Sequence, residues 1–324
     1  MKILVTGGAG YIGSHVVKAL GKKKHDLIIF DNLSTGHKEA VTYGELVIGD
    51  LSQNEKIEKL ISSEKFDAVL HFAGSIVVPE SVSNPLKYYQ NNTLNSFSLI
   101  SLCQKYNVKN FIFSSTAAVY GIPESGYCSE ESPLLPINPY GASKLMTEQM
   151  LSDVSKSSDL KYVALRYFNV SGADPDGQIG QSFPEATHLI KVASEVASGK
   201  RELIKIYGTD YPTPDGTCIR DYIHVTDLAE AHVKALEYLE NGGESSVLNC
   251  GYGHGFSVKE VLERVKKISG INIKIENAPR RPGDPASLTA KAEKIKKVLN
   301  WKPQFDNLDF IIETALRWEK NRTF

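Results

Sequence analysis

Two groups of residues in this chain could do chemistry together. Tyr140 and Lys144 stand four positions apart in Asn138-Pro139-Tyr140-Gly141-Ala142-Ser143-Lys144, and the hydroxyl run Ser114-Ser115-Thr116 precedes them. Near the start, Thr6-Gly7-Gly8-Ala9-Gly10-Tyr11-Ile12-Gly13 follows the apolar run Ile3-Leu4-Val5. A free phenol titrates near about 10, so tyrosine alone is a poor base at neutral pH. On a helix, a lysine four residues on lies one turn away on the same face. Its charge, joined by that of an oxidised nicotinamide, favours the phenolate, and Thr116 could complete the relay with a hydroxyl hydrogen bond. Such a couple takes the proton from an alcohol while hydride leaves its carbon. Tyr-x-x-x-Lys is by itself a weak signal. Here it is the only such pair among the 15 tyrosines, and it falls after the fifth apolar run. The plain alternative is a helix-start tyrosine followed by a solvated lysine.

The glycines supply the context. Gly8-x-Gly10-x-x-Gly13 fits a dinucleotide fingerprint, in which one glycine permits a tight strand-to-helix turn. Another lets the backbone approach a pyrophosphate, and the third allows close helix–strand packing. A helix starting near Tyr11 would point free N–H groups at the phosphates. Asp31 follows 18 residues beyond Gly13, at the end of the second apolar run. A carboxylate there accepts from both ribose hydroxyls of NAD and repels a 2′-phosphate, which predicts NAD over NADP. The competing role for Asp31 is a turn or cap residue before Asn32-Leu33-Ser34. Asp50, in Gly49-Asp50-Leu51, could touch adenine or be a simple loop aspartate.

The elements that must position these groups can be read from the apolar rhythm. Runs at Lys2–Val5, Leu27–Phe30, Leu46–Ile48, Ala68–Phe72, Phe111–Phe113 and Val163–Tyr167 predict buried strands. Amphipathic stretches at Ile12–Leu20, Asn54–Ser62, Leu86–Tyr106 and Tyr140–Ser155 lie between them. This alternation predicts an α/β fold, a doubly wound parallel sheet of Rossmann type. From about Asn169 the rhythm changes to Gly-, Pro- and Asp-rich loops, with helices at Val225–Leu239, Val258–Ile268 and Leu308–Trp318. We therefore expect a nucleotide-binding domain over 1–168 and a smaller mixed α/β lobe over 169–324, with segments near 225–250 returning to the first.

Composition limits the rest. The chain has 324 residues, enough for one large or two modest cores, and is 41% hydrophobic and 23% charged. With 37 basic and 38 acidic residues its net charge is -1, which argues against a general nucleic-acid binder. Cys103, Cys128, Cys218 and Cys250 are scattered with no Cys-x-x-Cys, so free thiols in a reducing compartment are expected and no metal site is. No run has the length of a membrane span, and Met1–Val5 reads as a first strand and not a signal peptide. The cytoplasm is the default expectation.

With these motifs in place, the sequence resembles the extended short-chain dehydrogenases, and within them the UDP-galactose (UDP-glucose) 4-epimerases. The similarity runs from Met1 to about Pro303 and includes Gly7-Gly8-Ala9-Gly10-Tyr11-Ile12-Gly13-Ser14-His15, His71-Phe72-Ala73-Gly74 and Arg166-Tyr167-Phe168-Asn169. It continues through Tyr211-Pro212-Thr213, Asp215-Gly216-Thr217, Arg220-Asp221-Tyr222-Ile223-His224-Val225 and Arg280-Arg281-Pro282-Gly283-Asp284, the last three being blocks that suit nucleotide-sugar users. The resemblance implies that NAD stays bound while Tyr140 takes the proton of the sugar 4-hydroxyl. The 4-keto sugar then turns over and is reduced on its other face. By the same resemblance Lys144 lowers the tyrosine pKa and Thr116 meets the 4-hydroxyl. Gly7, Gly10, Tyr11, Ile12, Gly13, Asp31, Asn32, Asp50, Leu51, Phe72, Ala73, Gly74, Asn91, Tyr140, Lys144 and Phe168 would hold NAD. Asn169, His188, Leu189, Tyr207, Arg220, Arg281, Asp284 and Leu288 would line the UDP-sugar site, the arginines clamping the diphosphate bidentately. A homodimer is implied too, through helices near Leu86–Tyr106 and Tyr140–Ser155.

Three positions depart from the family pattern. Thr116 stands where many relatives have serine, which keeps the hydroxyl. Ile76 stands where some members carry a lysine near the cofactor, so NAD could be held less tightly. Leu288 stands where some members close the sugar pocket with tyrosine. The smaller side chain predicts room beside the sugar C2, and hence turnover of UDP-GlcNAc and UDP-GalNAc as well. Competing readings remain at this level. A 4,6-dehydratase would need an acid–base pair after the Ser/Thr, where this chain has Ala117-Ala118, and a decarboxylating relative finds no carboxylate pocket there. A non-catalytic NAD sensor would have little reason to keep Tyr140, Lys144 and Thr116 together.

Overall fold

The apolar runs of the first half become a parallel sheet because their side chains alternate between two cores. The computed structural model describes residues 1–183, 186–281 and 283–324. Its main strands are β1 (Lys2–Thr6), β2 (Asp26–Asp31), β3 (Glu45–Ile48), β4 (Ala68–His71), β5 (Asn110–Thr116), β6 (Lys161–Tyr167) and β7 (Ser246–Cys250). They pair in the order β7-β6-β5-β4-β1-β2-β3, all parallel. In β1, Ile3 and Val5 enter one core and Leu4 the other. In β5, Ile112 faces the first core while Phe111 and Phe113 face the second. Burial on both faces is what makes these strands read as continuous apolar runs.

Helices cover the two faces. They include α1 (Tyr11–Lys22), α2 (Asn54–Glu64), α3 (Asn95–Lys105), α4 (Pro139–Ser157) and α5 (Val225–Glu240). Residues of α1 and α5 join the core that holds Ile3 and Val5, and residues of α2, α3 and α4 join the one that holds Leu4. The strand order reverses between β1 and β4, so their carboxyl ends diverge and open a crevice.

Two elements differ from the sequence expectation. Leu46–Ile48 was expected as a buried strand, yet β3 is the sheet edge and Ile48 is 55% exposed. The expected helix over Leu86–Tyr106 is interrupted. A short helix at Pro85–Tyr88 passes into a wide π turn at Tyr89–Leu94 before α3 begins. The wider turn lets consecutive asparagines both reach Ser75, Asn91 at its hydroxyl (2.9 Å) and Asn92 at its carbonyl (3.0 Å).

The second half forms small sheets over the crevice. Ile219–Arg220 lies between Phe256–Ser257 and Ser287–Ala290, and Tyr127–Cys128 completes that sheet. Tyr222–His224 pairs with Asn169–Ser171, and Ile275–Ala278 with Ile204–Tyr207. After α5 the chain returns to add β7 to the main sheet. Polar ties fasten this half to α1. The Tyr11 hydroxyl donates to the Gly172 carbonyl (2.7 Å), and buried Lys18 meets buried Asp174 (2.7 Å).

Buried histidines set the acid limit of the fold. His71 sits between the Thr6 hydroxyl (2.7 Å) and Ser96 (2.8 Å). Burial lowers its pKa to about 3, that of His224 to about 3, and those of His15 and His232 to about 4. Unfolded imidazoles titrate near about 6.5, so below that pH the unfolded chain binds more protons than the folded one. Stability present above this value is lost as the pH falls towards the folded values. Urea denaturation should therefore show a midpoint that drops steadily between about pH 7 and pH 5. A midpoint constant over that range would contradict neutral burial of these rings.

Candidate active site

The predicted acid–base couple sits on the first turns of α4. Asn138 caps this helix, its side chain accepting from the Gly141 N–H (2.8 Å), and Pro139 occupies the first helical position. A Cβ on Gly141 would lie 2.6 Å from the Ala118 carbonyl oxygen, so glycine lets α4 press against the turn that follows β5. Thr116 ends β5 and opens that turn, its hydroxyl accepting from the Ala118 N–H (3.1 Å). This leaves the hydroxyl proton free to donate.

The electrostatics of the couple are now explicit. Burial raises the Tyr140 pKa, and a hydrogen bond with Thr116 pulls it back. Lys144 is 3% exposed and donates to the Ser114 carbonyl (2.8 Å), with its ammonium 4.9 Å from the centre of the Phe113 ring. Burial lowers its pKa to about 8, against the opposing charge of Glu148. In the protein alone Tyr140 is thus a phenol, and Lys144 is poised to change charge near neutrality.

The glycine loop fits a dinucleotide. Gly7 has φ +72°, and a Cβ there would lie 2.5 Å from the Ala73 nitrogen. A Cβ on Gly13 would come 2.2 Å from the Gly7 carbonyl oxygen. No side chain caps α1, so the N–H groups of its first turn, at Tyr11, Ile12 and Gly13, remain available to an anion. Gly10 meets only the Gly7 oxygen at 3.3 Å, which leaves the outer side of the loop open. Asp31 ends β2 and accepts from the N–H groups of Ala9 (2.9 Å) and Leu33 (2.8 Å), while burial raises its pKa. Asn32 donates to Asp50 (2.6 Å), and hydrogen bonds, chiefly from Ser52, lower the Asp50 pKa. Leu51 is buried beside it.

Other expected cofactor residues gather at the same strand ends. The Ala73 N–H bonds the Thr6 carbonyl (3.1 Å), while Phe72 packs on His232 (4.9 Å between ring centres). A Cβ on Gly74 would be 3.0 Å from the Asn92 side-chain oxygen and 3.7 Å from the Lys144 ammonium. The Phe72–Gly74 loop therefore passes directly beside the couple. Phe168 follows β6 and is buried.

The residues expected at the nucleotide sugar lie in the small sheets and loops of the second half. The Arg220 guanidinium donates to the carbonyls of Ile219 (2.8 Å) and Pro285 (2.9 Å) and lies 3.5 Å from Asp284. Arg281 pairs with Asp284 (2.8 Å) and covers the Tyr207 ring at 4.9 Å. Leu288 is in register with Arg220 on the neighbouring strand. Asn169 starts the strand that pairs with Tyr222. His188 bonds Gln181 (2.9 Å) and precedes Leu189, the first residue of its helix. Pro282 lies outside the described residues. Ile76 is half-exposed and brings no charge to the cofactor side.

Two sets of residues escaped the sequence reading. Asn92 accepts from the Ser75 N–H (2.7 Å) and donates to Ser143 (3.0 Å), which joins the cofactor loop to α4. The ion pair of Glu148 with Arg166 lies one turn beyond Lys144 (2.6 Å). Arg166 stood in a family block without a role, and only the three-dimensional pairing reveals its partner.

Comparison with known proteins agrees with this geometry. Residues 3–251 match the model of the NAD dependent epimerase/dehydratase family. The UDP-glucose 4-epimerase of Azospirillum brasilense is 54% identical over 321 residues, 99% of this chain and 92% of that protein. The UDP-Glc/GlcNAc 4-epimerase of Campylobacter jejuni superposes with a TM-score of 0.87 at 52% identity, covering 98% of this chain and 99% of the other. The UDP-glucose 4-epimerase of Bifidobacterium longum, in complex with NAD+ and UDP, gives a TM-score of 0.93 at 38% identity, covering 98% of both chains.

Gly13→Ala tests the cradle. The added carbon cannot fit without moving the loop, so the variant should purify with little bound dinucleotide, read as absorbance at 260 nm against 280 nm. Retention of the parent's dinucleotide content would contradict the assigned fit.

Proposed function

Because the chain belongs to the NAD dependent epimerase/dehydratase family, we propose that the groups assembled at the strand ends carry out the family's C4 chemistry on a UDP-sugar. The protein is an NAD-dependent enzyme of the UDP-glucose 4-epimerase type and inverts C4 of a UDP-hexose. When bound, NAD would supply reversible hydride transfer at C4, so the reaction has no net redox change. The observation that carries our assignment of roles is the meeting of Tyr140, Lys144 and Thr116 beside the Phe72–Gly74 loop.

In this reading Tyr140 takes the proton of the sugar 4-hydroxyl and later gives one back. Thr116 orients that hydroxyl. Lys144 holds the nicotinamide ribose and, with the cofactor's positive charge, brings the phenol into its ionised form. The first turn of α1 receives the pyrophosphate and Asp31 the adenosine ribose, while Phe168 packs against the nicotinamide. Asn91 and Asn169 lie near the diphosphate. Arg220 and Arg281 grip it with planar guanidinium groups, and Asp284 is then free for the uridine ribose. His188, Leu189 and Tyr207 frame uracil. Residues 1–168 and the returning 225–250 segment thus carry the cofactor, and the remainder of 169–324 carries the nucleotide sugar.

Leu288 extends the substrate range in this reading. It is in register with Arg220, and its lack of a hydroxyl or ring carries the expectation of space for an N-acetyl group. The Campylobacter jejuni protein, named for both UDP-Glc and UDP-GlcNAc, supports the same breadth. We also assign a homodimer. Leu86, Leu94, Phe97 and Met146 are exposed along α3, α4 and the residues leading into α3, an apolar strip that a second copy would cover. No helix of the described residues is long and apolar enough to cross a membrane. With four free, buried cysteines, the reading places the enzyme in the cytoplasm.

The decisive assay supplies UDP-galactose and UDP-GalNAc separately, without added NAD. Both should give their gluco epimers, and Leu288→Tyr should abolish conversion of UDP-GalNAc while keeping that of UDP-galactose. Conversion of UDP-galactose alone by the parent would remove the pocket argument. Tyr140→Phe should lower kcat by about a hundredfold or more with UDP binding intact. Phe97→Asp should shift the molar mass measured by light scattering from dimer to monomer.

A further inference from the structure

The catalytic helix carries a buried charge that the chemistry above does not use. Glu148 and Arg166 are 5% and 3% exposed. The Arg166 Nε lies 3.0 and 3.2 Å from the two carboxylate oxygens, and Nη2 lies 2.6 Å from one of them. Ser115, the neighbour of Thr116, donates to the same carboxylate. Arg166 continues outward to the Tyr120 hydroxyl (2.9 Å), which donates to the Asn249 side chain (2.6 Å). One carboxylate therefore joins α4, β5 and β6, and its network reaches β7.

A buried ion pair is a poor device for stability alone. Desolvation offsets the Coulomb gain, and an apolar pair of the same volume is often as stable. Its position suggests another purpose. Glu148 lies one helical turn from Lys144, on the same face. Among the described residues Lys144 forms no ion pair, and its one hydrogen-bond acceptor is a neutral carbonyl.

We propose that Glu148, clamped by Arg166, is a positioning residue for the epimerisation: it sets the register of α4 against β5, and hence of Tyr140 against Thr116, and turns a negative charge towards the Lys144 ammonium. The inference rests on the reading that Tyr140 and Lys144 do the chemistry. The other titratable groups around Tyr140 and Lys144 are shifted away from neutrality in the protein alone. His71 of β4 is held down to about 3, and burial raises Tyr88, Tyr140 and Tyr167 of β6. Phe113 and the Ser114 carbonyl of β5 carry no charge. Removing the Glu148 charge takes away the one influence that raises the Lys144 pKa, so Lys144 would lose its proton at lower pH.

The test is the pH profile of kcat for UDP-galactose conversion in the parent, Glu148→Gln and Ser115→Ala. Parent activity is measured first, and its absence would count against the epimerase reading and not against this one. Glu148→Gln should lower kcat about tenfold, leave KM unchanged, and move the alkaline limb about one unit to lower pH. Ser115→Ala keeps the charge but loses a tie to β5, so kcat should fall severalfold with the limb in place. A Glu148→Gln profile that overlays the parent's would overturn the electrostatic role. Unchanged kcat in Ser115→Ala would overturn the register role, and that variant still decides if Glu148→Gln does not fold.

Discussion

The rest of the molecule depends on the pairing of β1 between β2 and β4. A central parallel strand flanked on both sides ends where its neighbours end, and this gathers short-range loops from distant parts of the chain. Thr6 pairs with Phe30 on one side and His71 on the other. The Gly7 turn, Asp31 and the Phe72–Gly74 loop therefore start from one level. The β5–β6 pairing adds Thr116 opposite Tyr167, and so brings Phe168 to the same rim. Each loop is exposed by the sheet and then restrained by its neighbours, as the 2.5 Å approach of a Gly7 Cβ to Ala73 illustrates.

Much of this was legible from residue types. Doubly buried strands leave continuous apolar runs, and a glycine that must admit a neighbouring backbone leaves a fixed spacing. Tyr140 and Lys144 were legible because helical geometry alone puts them on one face. What escaped depends on partners far away in sequence. Ile48 has the same character as a core residue, but β3 has no strand beyond it. The π turn at Tyr89–Leu94 adds no new residue type, only a change of spacing that lets Asn91 and Asn92 both meet Ser75. The small strands of the second half, some only two residues long, have too few side chains to show a period. The partnership of Glu148 with Arg166 exists only once α4 lies on the sheet.

The site also shows how burial sets the charge state of its groups. The histidines beneath and beside the crevice are held unprotonated by burial and, in the proposed reading, do not compete for the proton that Tyr140 handles. Tyr140 is itself held as a phenol in the protein alone. The ionised form then depends on cations that arrive with, or are supported at, the cofactor side. In the proposed reading the base is dormant without NAD, and its activation is tied to occupancy.

The Tyr11 and Lys18 contacts have a wider consequence. The helix whose first-turn N–H groups are free to meet an anion is also the helix that anchors the Gly172–Asp174 segment, at its first turn and midway along. In the proposed reading, cofactor binding and the docking of that segment thus share one mechanical element. On that account a displacement at Gly172 or Asp174 would tilt the helix and be felt at the N–H groups of its first turn.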